Sequence, residues 1–247
     1  MPLSAIRIVL VEPSHPGNIG AVARAMKNMA LVDLVLVRPK AYPHPEATAR
    51  ASGAADLLER ARVVDTVADA VADCGFVAAT TSRSRDHNFR ALDLHEAAQN
   101  IFGKSEIAPA AVLFGAERTG LTNEELALAH LLIRIPANPE YPSLNLAMAV
   151  QLLTYELFRA AGSPASSRPL SEPTVPPASG EDMERFYAHL AQVMEEIDFR
   201  DRTQGGTQLG TRIRRLFQRS EMDQNEVNIL RGILTAVQNK RRPAGPR

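Results

Sequence analysis

The sequence predicts an α/β fold built on a parallel β-sheet, followed by a small all-α extension. Three features carry that expectation. Short β-branched runs alternate with stretches of helical spacing over residues 1–161, the runs are apolar almost throughout, and loops rich in Gly, Asn, Arg and Ser fall directly after them. A strand that is apolar on successive residues has both faces covered, as in a parallel sheet flanked by helices, whereas a sheet wetted on one side alternates.

In chain order, residues 6–12, 34–38, 61–64, 76–80, 111–114 and 132–135 read as strands, with helical stretches between them. A helix opens at the glycine turn after the first strand, and the loop 135–146 starts an alanine-rich helix, with Ser143 expected as its N-cap. Residues 162–180 hold Pro164, Pro169, Pro173, Pro176 and Pro177 among serines and keep no hydrophobic period, so they read as a linker between a domain at 1–161 and an appendage at 181–247. In the appendage, Phe186, Leu190, Val193 and Ile197 recur at helical spacing, as do Ile213, Leu216 and Phe217, and then Ile229, Ile233 and Val237. The basic tail at 240–247 is expected to fray.

Composition narrows the function classes. A chain of 247 residues, 45% hydrophobic, can bury a core without covalent staples. The single cysteine, Cys74, allows no internal disulfide and sits in an apolar context that predicts burial. No stretch approaches the roughly 18 apolar residues of a membrane span and no basic-then-apolar leader opens the chain, so a cytoplasmic protein is expected. Net charge is zero, which directs attention to where basic groups cluster. Aromatic content of 5% with no tryptophan advertises no base-stacking platform. The six histidines lie scattered without ligand spacing, so no metal is expected.

Loops at strand ends are where a parallel sheet builds ligand sites, and three stand out. His15-Pro16-Gly17-Asn18-Ile19-Gly20 leads into a helix carrying Arg24; it reads either as a backbone cradle for an anion at a helix N-terminus or as a tight turn. Phe114-Gly115-Ala116-Glu117-Arg118-Thr119-Gly120-Leu121 bends around something or is a solvated turn. Residues 135–146, ending in Pro142-Ser143-Leu144-Asn145-Leu146, read as a site loop or as a helix cap.

Together, in order and separation, Asn18-Ile19-Gly20 through Arg24, Phe114-Gly115 with Glu117 and Gly120-Leu121-Thr122, and Ser143-Leu144-Asn145-Leu146-Ala147 resemble the motifs of the SPOUT superfamily of methyltransferases. Within it they are most similar to the TrmH-like branch and its TrmJ type of tRNA 2′-O-ribose methyltransferases. The resemblance covers roughly residues 6–161, while Glu184-Arg185-Phe186-Tyr187 and Asn228-Ile229-Leu230-Arg231-Gly232-Ile233-Leu234 look like the C-terminal extension of that type. Ala116 departs from the arginine often found there in the family.

The resemblance implies a SPOUT-type parallel sheet with a C-terminal trefoil knot, a feature that general topology rules disfavour. It implies S-adenosyl-L-methionine as methyl donor, leaving S-adenosyl-L-homocysteine, with Thr80, Thr81, Ser82, Phe114, Gly115, Ile135, Pro142, Ser143 and Leu144 holding it. It makes Arg24, Asn18 and Ser143 the catalytic residues. A guanidinium resists deprotonation, so Arg24 is read as a positioning group before it is read as a base. Glu117, Arg118 and Asn145, with Arg83 and Arg85 of the arginine-rich segment 82–90, are expected at the RNA. A second basic cluster, Arg212, Arg214, Arg215 and Arg219, either steers a tRNA or is a solvated helix face.

The expected activity is methylation of a tRNA ribose 2′-hydroxyl by a homodimer, at the pyrimidine of position 32 in the anticodon loop. The alternatives are another tRNA or rRNA loop, or a nonenzymatic RNA-binding protein on the same fold. Nucleotide-cofactor oxidoreductases and NTPases are disfavoured, because neither G-x-G-x-x-G nor G-x-x-x-x-G-K-[ST] occurs.

Overall fold

The computed structural model describes residues 2–81, 91–162, 175–199 and 209–241. Strands β1 (Ile6–Val11), β2 (Asp33–Val37), β3 (Arg62–Val64), β4 (Phe76–Thr80), β5 (Ala91–Asp93), β6 (Ala110–Phe114) and β7 (Leu131–Arg134) form a seven-stranded sheet in the order β3-β2-β1-β6-β4-β7-β5. Every neighbouring pair is parallel. Six strands lie within a residue or two of their expected places; β5, a short edge strand with Ala91 and Asp93 exposed, carries no apolar run and gave no signal. β4 and β5 are consecutive in the chain yet separated in the sheet by β7.

The continuous apolar runs have the expected cause. All of β1 and β6 is buried, and alternate residues serve different cores. Ile6, Ile8 and Leu10 face the layer of α1 (Pro16–Asn28), α5 (Leu94–Ser105) and α7 (Leu146–Gly162), meeting Ile19, Ile101 and Leu153. Val9 and Val11 face Val67, Val71 and Leu126 of α4 (Val67–Val71) and α6 (Asn123–Leu126). Each such fully buried Ile, Leu or Val contributes about 1.5–3 kcal/mol of transfer free energy. Two short helices, α2 (Pro45–Ala51) and α3 (Ala55–Arg60), complete the first layer, and α2 lies so close to α1 that a Cβ on Gly20 would come within 2.0 Å of the Ala47 carbonyl oxygen.

One charge is buried in β1. Arg7 donates from Nε to Asp33 at 2.8 Å, from Nη2 to Asp73 at 3.0 Å and from Nη1 to the Ala70 carbonyl at 2.8 Å. Burial opposes its charge, but the hydrogen bonds and charges of Asp73 and Asp33 outweigh that and raise its pKa. The neighbouring Cys74 is buried as expected, and burial pushes its thiol up to about 12.

Because the sheet is parallel, the ends of β1, β4, β6 and β7 gather at one edge, and the extension docks near the other. It comprises α8 (Gly180–Glu196), α9 (Leu209–Gln218) and α10 (Gln224–Arg241), built on Met183, Phe186, Tyr187, Met222 and Val227. The Gly180 and Glu181 amides donate to the Cys74 and Ala72 carbonyls at 3.1 and 3.0 Å, Gln218 Nε2 donates to the Leu128 carbonyl at 2.7 Å, and Lys104 pairs with Glu221. Next to this seam His130 stacks on Phe76 with ring centroids 5.2 Å apart, and its Nδ1 accepts the Val77 N–H at 3.0 Å.

Several expectations for these helices need correction. α10 turns Val227, Leu230 and Leu234 toward α8, leaving Ile229, Ile233 and Val237 exposed, and Leu216 of α9 is exposed as well. The helix carries two apolar stripes, and spacing alone does not say which one the chain itself covers. Arg214 is an internal clamp, bidentate to Glu184 and lying 4.4 Å from the Tyr187 ring centroid. The end of the expected linker is ordered, since Ala178 N donates to Met222 O at 2.9 Å; residues 163–174 and 242–247 lie outside the described residues.

Candidate active site

Loops from three strand ends build a cavity of about 300 Å³ at the C-terminal edge of the sheet. Thr80 and Thr81 come from the end of β4, Phe114 and Gly115 from β6, Ile135 follows β7, and Pro142, Ser143 and Leu144 come from the loop before α7. These are eight of the nine positions expected to hold the methyl donor; the ninth, Ser82, lies outside the described residues, as do Arg83 and Arg85. Thr80 Oγ1 donates to the Leu113 carbonyl at 3.1 Å and the Thr81 amide to the Ile133 carbonyl at 3.1 Å, so both threonines are tied to neighbouring strands.

The second loop is a tight hairpin that forms one wall. Gly120 sits at φ +68°, and its amide donates to the Ala116 carbonyl at 2.8 Å. A Cβ on Gly115 would lie 2.3 Å from the Gly120 carbonyl carbon, so only glycine lets the two arms close. Arg118 lines the cavity on this hairpin.

Glu117 is not a solvated turn residue. Its Oε2 accepts from the Ser14 amide at 3.0 Å and the Ser14 hydroxyl at 2.8 Å, and its Oε1 accepts from Asn18 Nδ2 at 2.9 Å. Burial tends to raise its pKa, but the hydrogen bonds from Asn18 and Ser14 prevail and hold the carboxyl below the ordinary carboxylate value. The first loop therefore meets an anion, and that anion is the protein's own Glu117. The helix start is further satisfied by His15, whose Nδ1 accepts from the Gly17 amide at 3.2 Å. Gly20 serves the contact with α2 rather than a ligand.

Asn18 hands the connection to the third loop. Its Oδ1 accepts from Asn145 Nδ2 at 3.1 Å, while Asn145 Oδ1 accepts the Ala147 amide at 2.9 Å and the Met148 amide at 3.4 Å. The cap of α7 is thus Asn145, not Ser143, because the first helical residue is Leu146 and only a side chain immediately before it reaches those amides. Glu117, Asn18 and Asn145 form one relay across three loops remote in sequence. Ser14 belongs to it and no sequence pattern marks it.

Arg24 is exposed on α1 between buried Ala23 and Ala25, and neither its guanidinium nor the exposed Ser143 hydroxyl has a hydrogen-bond partner among the described residues. α1 packs on α7, whose Met148, Leu152, Tyr155 and Phe158 remain exposed. Among the described residues no group of three or more His, Cys, Asp and Glu could hold a metal ion, and no helix is long and apolar enough to cross a membrane.

Comparison with known proteins agrees with this geometry. Residues 5–155 match the SpoU rRNA methylase family and residues 181–246 match the C-terminal domain of the tRNA methyltransferase TrmJ. The tRNA (cytidine/uridine-2′-O-)-methyltransferase TrmJ of Sodalis glossinidius is 45% identical over 99% of this chain and 95% of its own length. The protein of the same name from Yersinia enterocolitica is 45% identical over 96% and 93%. The crystal structure of TrmJ from Z. mobilis ZM4 superposes with a TM-score of 0.81 at 37% identity, covering 94% of this chain and 98% of that one. The chain belongs to the SpoU family of RNA methyltransferases, in its TrmJ group.

Proposed function

We propose that the protein methylates a ribose 2′-hydroxyl of tRNA, at the pyrimidine of position 32, with S-adenosyl-L-methionine as donor. The observation that carries this reading is the convergence on one cavity of eight residues from loops far apart in sequence, the set that the resemblance implied, with the Glu117–Asn18–Asn145 relay beside it. The cavity sits at the small end of the roughly 300–1,000 Å³ range of ligand sites, and its lining of aliphatic side chains, three threonines, Glu117, Arg118 and close-packed glycine backbone suits a bent nucleoside that is partly apolar and partly charged. When bound, the donor would supply a methyl group on a positive sulfur; the new O–C bond to the 2′-oxygen would form as the C–S bond breaks, with S-adenosyl-L-homocysteine as the neutral leaving group and the hydroxyl proton passing to solvent water.

The chain's task is placement. Arg24 holds a phosphate or the hydroxyl through its planar fork, the relay fixes the helix that carries Arg24, and Ser143 hydrogen-bonds at the rim. A homodimer is supported by the exposed apolar row on α7 next to α1, which a second copy would cover. The insertion of β7 between β4 and β5 supports a threaded chain of the trefoil kind. We place the reaction in the cytoplasm, with tRNA.

The test is transfer of labelled methyl to unmodified tRNA transcripts, followed by mapping of the modified nucleotide. Wild-type protein is expected to modify the ribose at position 32 and Arg24→Ala to abolish transfer. Substantial activity in Arg24→Lys would defeat the geometric role of the fork. Modification elsewhere in tRNA or only in rRNA would reassign the substrate.

A further inference from the structure

The loop before α7 carries, midway, an aromatic ring that the relay and the cavity do not use. Tyr141 is 76% exposed, more than any other large apolar or aromatic side chain noted as exposed among the described residues. It directly precedes Pro142, Ser143 and Leu144, all of which line the cavity. The loop that presents it is stiff. The Tyr141 amide donates to the Asn138 carbonyl at 2.9 Å and the Glu140 amide to Asn138 Oδ1 at 3.0 Å, while Pro139 and Pro142 restrict the backbone on either side. A ring held out on a braced turn at a cavity mouth is preorganised for a flat partner.

Building on the proposed tRNA reading, we infer that Tyr141 is the stacking platform for the base of the nucleotide whose ribose is methylated. The reacting oxygen is bonded to C2′, and the base hangs from the adjacent C1′, so a ribose placed at the cavity leaves its base at the mouth. Stacking on a ring engages the face of a base and not its hydrogen-bonding edge; it contributes about 1–3 kcal/mol and tolerates sequence. Cytosine and uracil share that face and differ at one edge. The relatives named as cytidine/uridine methyltransferases accept both, which is the behaviour such a platform produces. Among the described residues the other exposed aromatics, Tyr155 and Phe158 on α7 and Phe199 beyond α8, are not on a loop of the cavity.

The experiment measures single-turnover methyl transfer by full-length wild type, Tyr141→Phe and Tyr141→Leu on two tRNA transcripts, one normal and one with an abasic ribose at the target. Binding of S-adenosyl-L-homocysteine is measured in parallel. On normal tRNA the Phe variant is expected within about twofold of wild type and the Leu variant lower by about 5- to 150-fold, the range that stacking energies imply. On the abasic substrate wild type and Leu variant should be equally slow, with homocysteine-product binding unchanged throughout. Equal rates for Leu variant and wild type on normal tRNA would overturn the inference alone. So would an undiminished Leu defect on the abasic tRNA, or lost product binding, since either places the ring's role in the loop itself. Absence of transfer by wild type to any tRNA would overturn the tRNA reading and this inference with it.

Discussion

At the scale of single residues, Glu117 shows how a carboxylate that looks like a surface charge becomes a structural acceptor. It collects hydrogen bonds from Ser14 and Asn18 across about a hundred positions of chain. Hydrogen bonds to a charged group contribute about 1.5–3 kcal/mol each, so Glu117→Gln, which keeps the shape and loses the charge, should lower kcat/KM for methyl transfer by roughly 10- to 100-fold. A rate within twofold of wild type would show that the relay is dispensable. Because hydrogen bonding holds the Glu117 carboxyl low, its contribution is present above the ordinary carboxylate value and is lost as pH falls through the still lower folded-state value. No change traceable to Glu117 is expected between about pH 6 and 8, and a pH–rate profile comparing wild type with Glu117→Gln checks this.

At the scale of elements, the start of α7 couples stability to the site through one side chain. Asn145 both caps the helix and donates to Asn18. Asn145→Ala removes both functions and should cost about 1 kcal/mol of stability as well as activity. Asn145→Asp separates them. A carboxylate still caps, so urea unfolding should match wild type, but Asn18 would then stand between two acceptors, Glu117 and the new carboxylate. Whichever way its amide points, one carboxylate faces its oxygen. Transfer should fall by at least about tenfold without loss of stability, the cost of one charge-assisted hydrogen bond. The exposed row on α7 bears on assembly: Leu152→Glu would place a charge on the surface assigned to the second copy and should leave a monomer in sedimentation velocity.

At the scale of the whole molecule, the parallel sheet separates two functions. Strand C-termini carry the cavity, and the seam with the extension runs along the side of Cys74, Leu128 and His130. Burial lowers the pKa of His130 from 6.5 to about 4, with its Nδ1 engaged by the Val77 N–H. The folded protein therefore binds fewer protons than the unfolded chain between those values. Its stability is full above about pH 6.5 and declines toward pH 4, by an amount on the order of 3 kcal/mol. Urea midpoints measured across that range should fall steeply in wild type and less so in His130→Gln; parallel slopes would remove His130 from the account.

The α/β class, six of seven strands and the three loops were legible because each is local: continuous apolar runs report two-sided burial, and Gly, Asn and Ser mark the turns that follow. That eight particular residues of those loops line one cavity was expected only from the resemblance of the motifs to a known family. β5 was not legible, since a three-residue edge strand buries too little to leave a pattern. Nor was the buried stripe of α10, where two apolar rows compete and only packing against α8 selects Val227, Leu230 and Leu234. Ser143 looked like a helix cap, and Glu117 was expected at the RNA with a solvated turn as the alternative, because capping depends on where the first helical turn begins and acceptance on which donors arrive from elsewhere. Local composition thus determined which elements form and which loops matter. The tertiary structure alone decided that Glu117, Asn18 and Asn145 bond to one another, because hydrogen bonds between loops a hundred residues apart depend on sheet order, which no window of sequence contains.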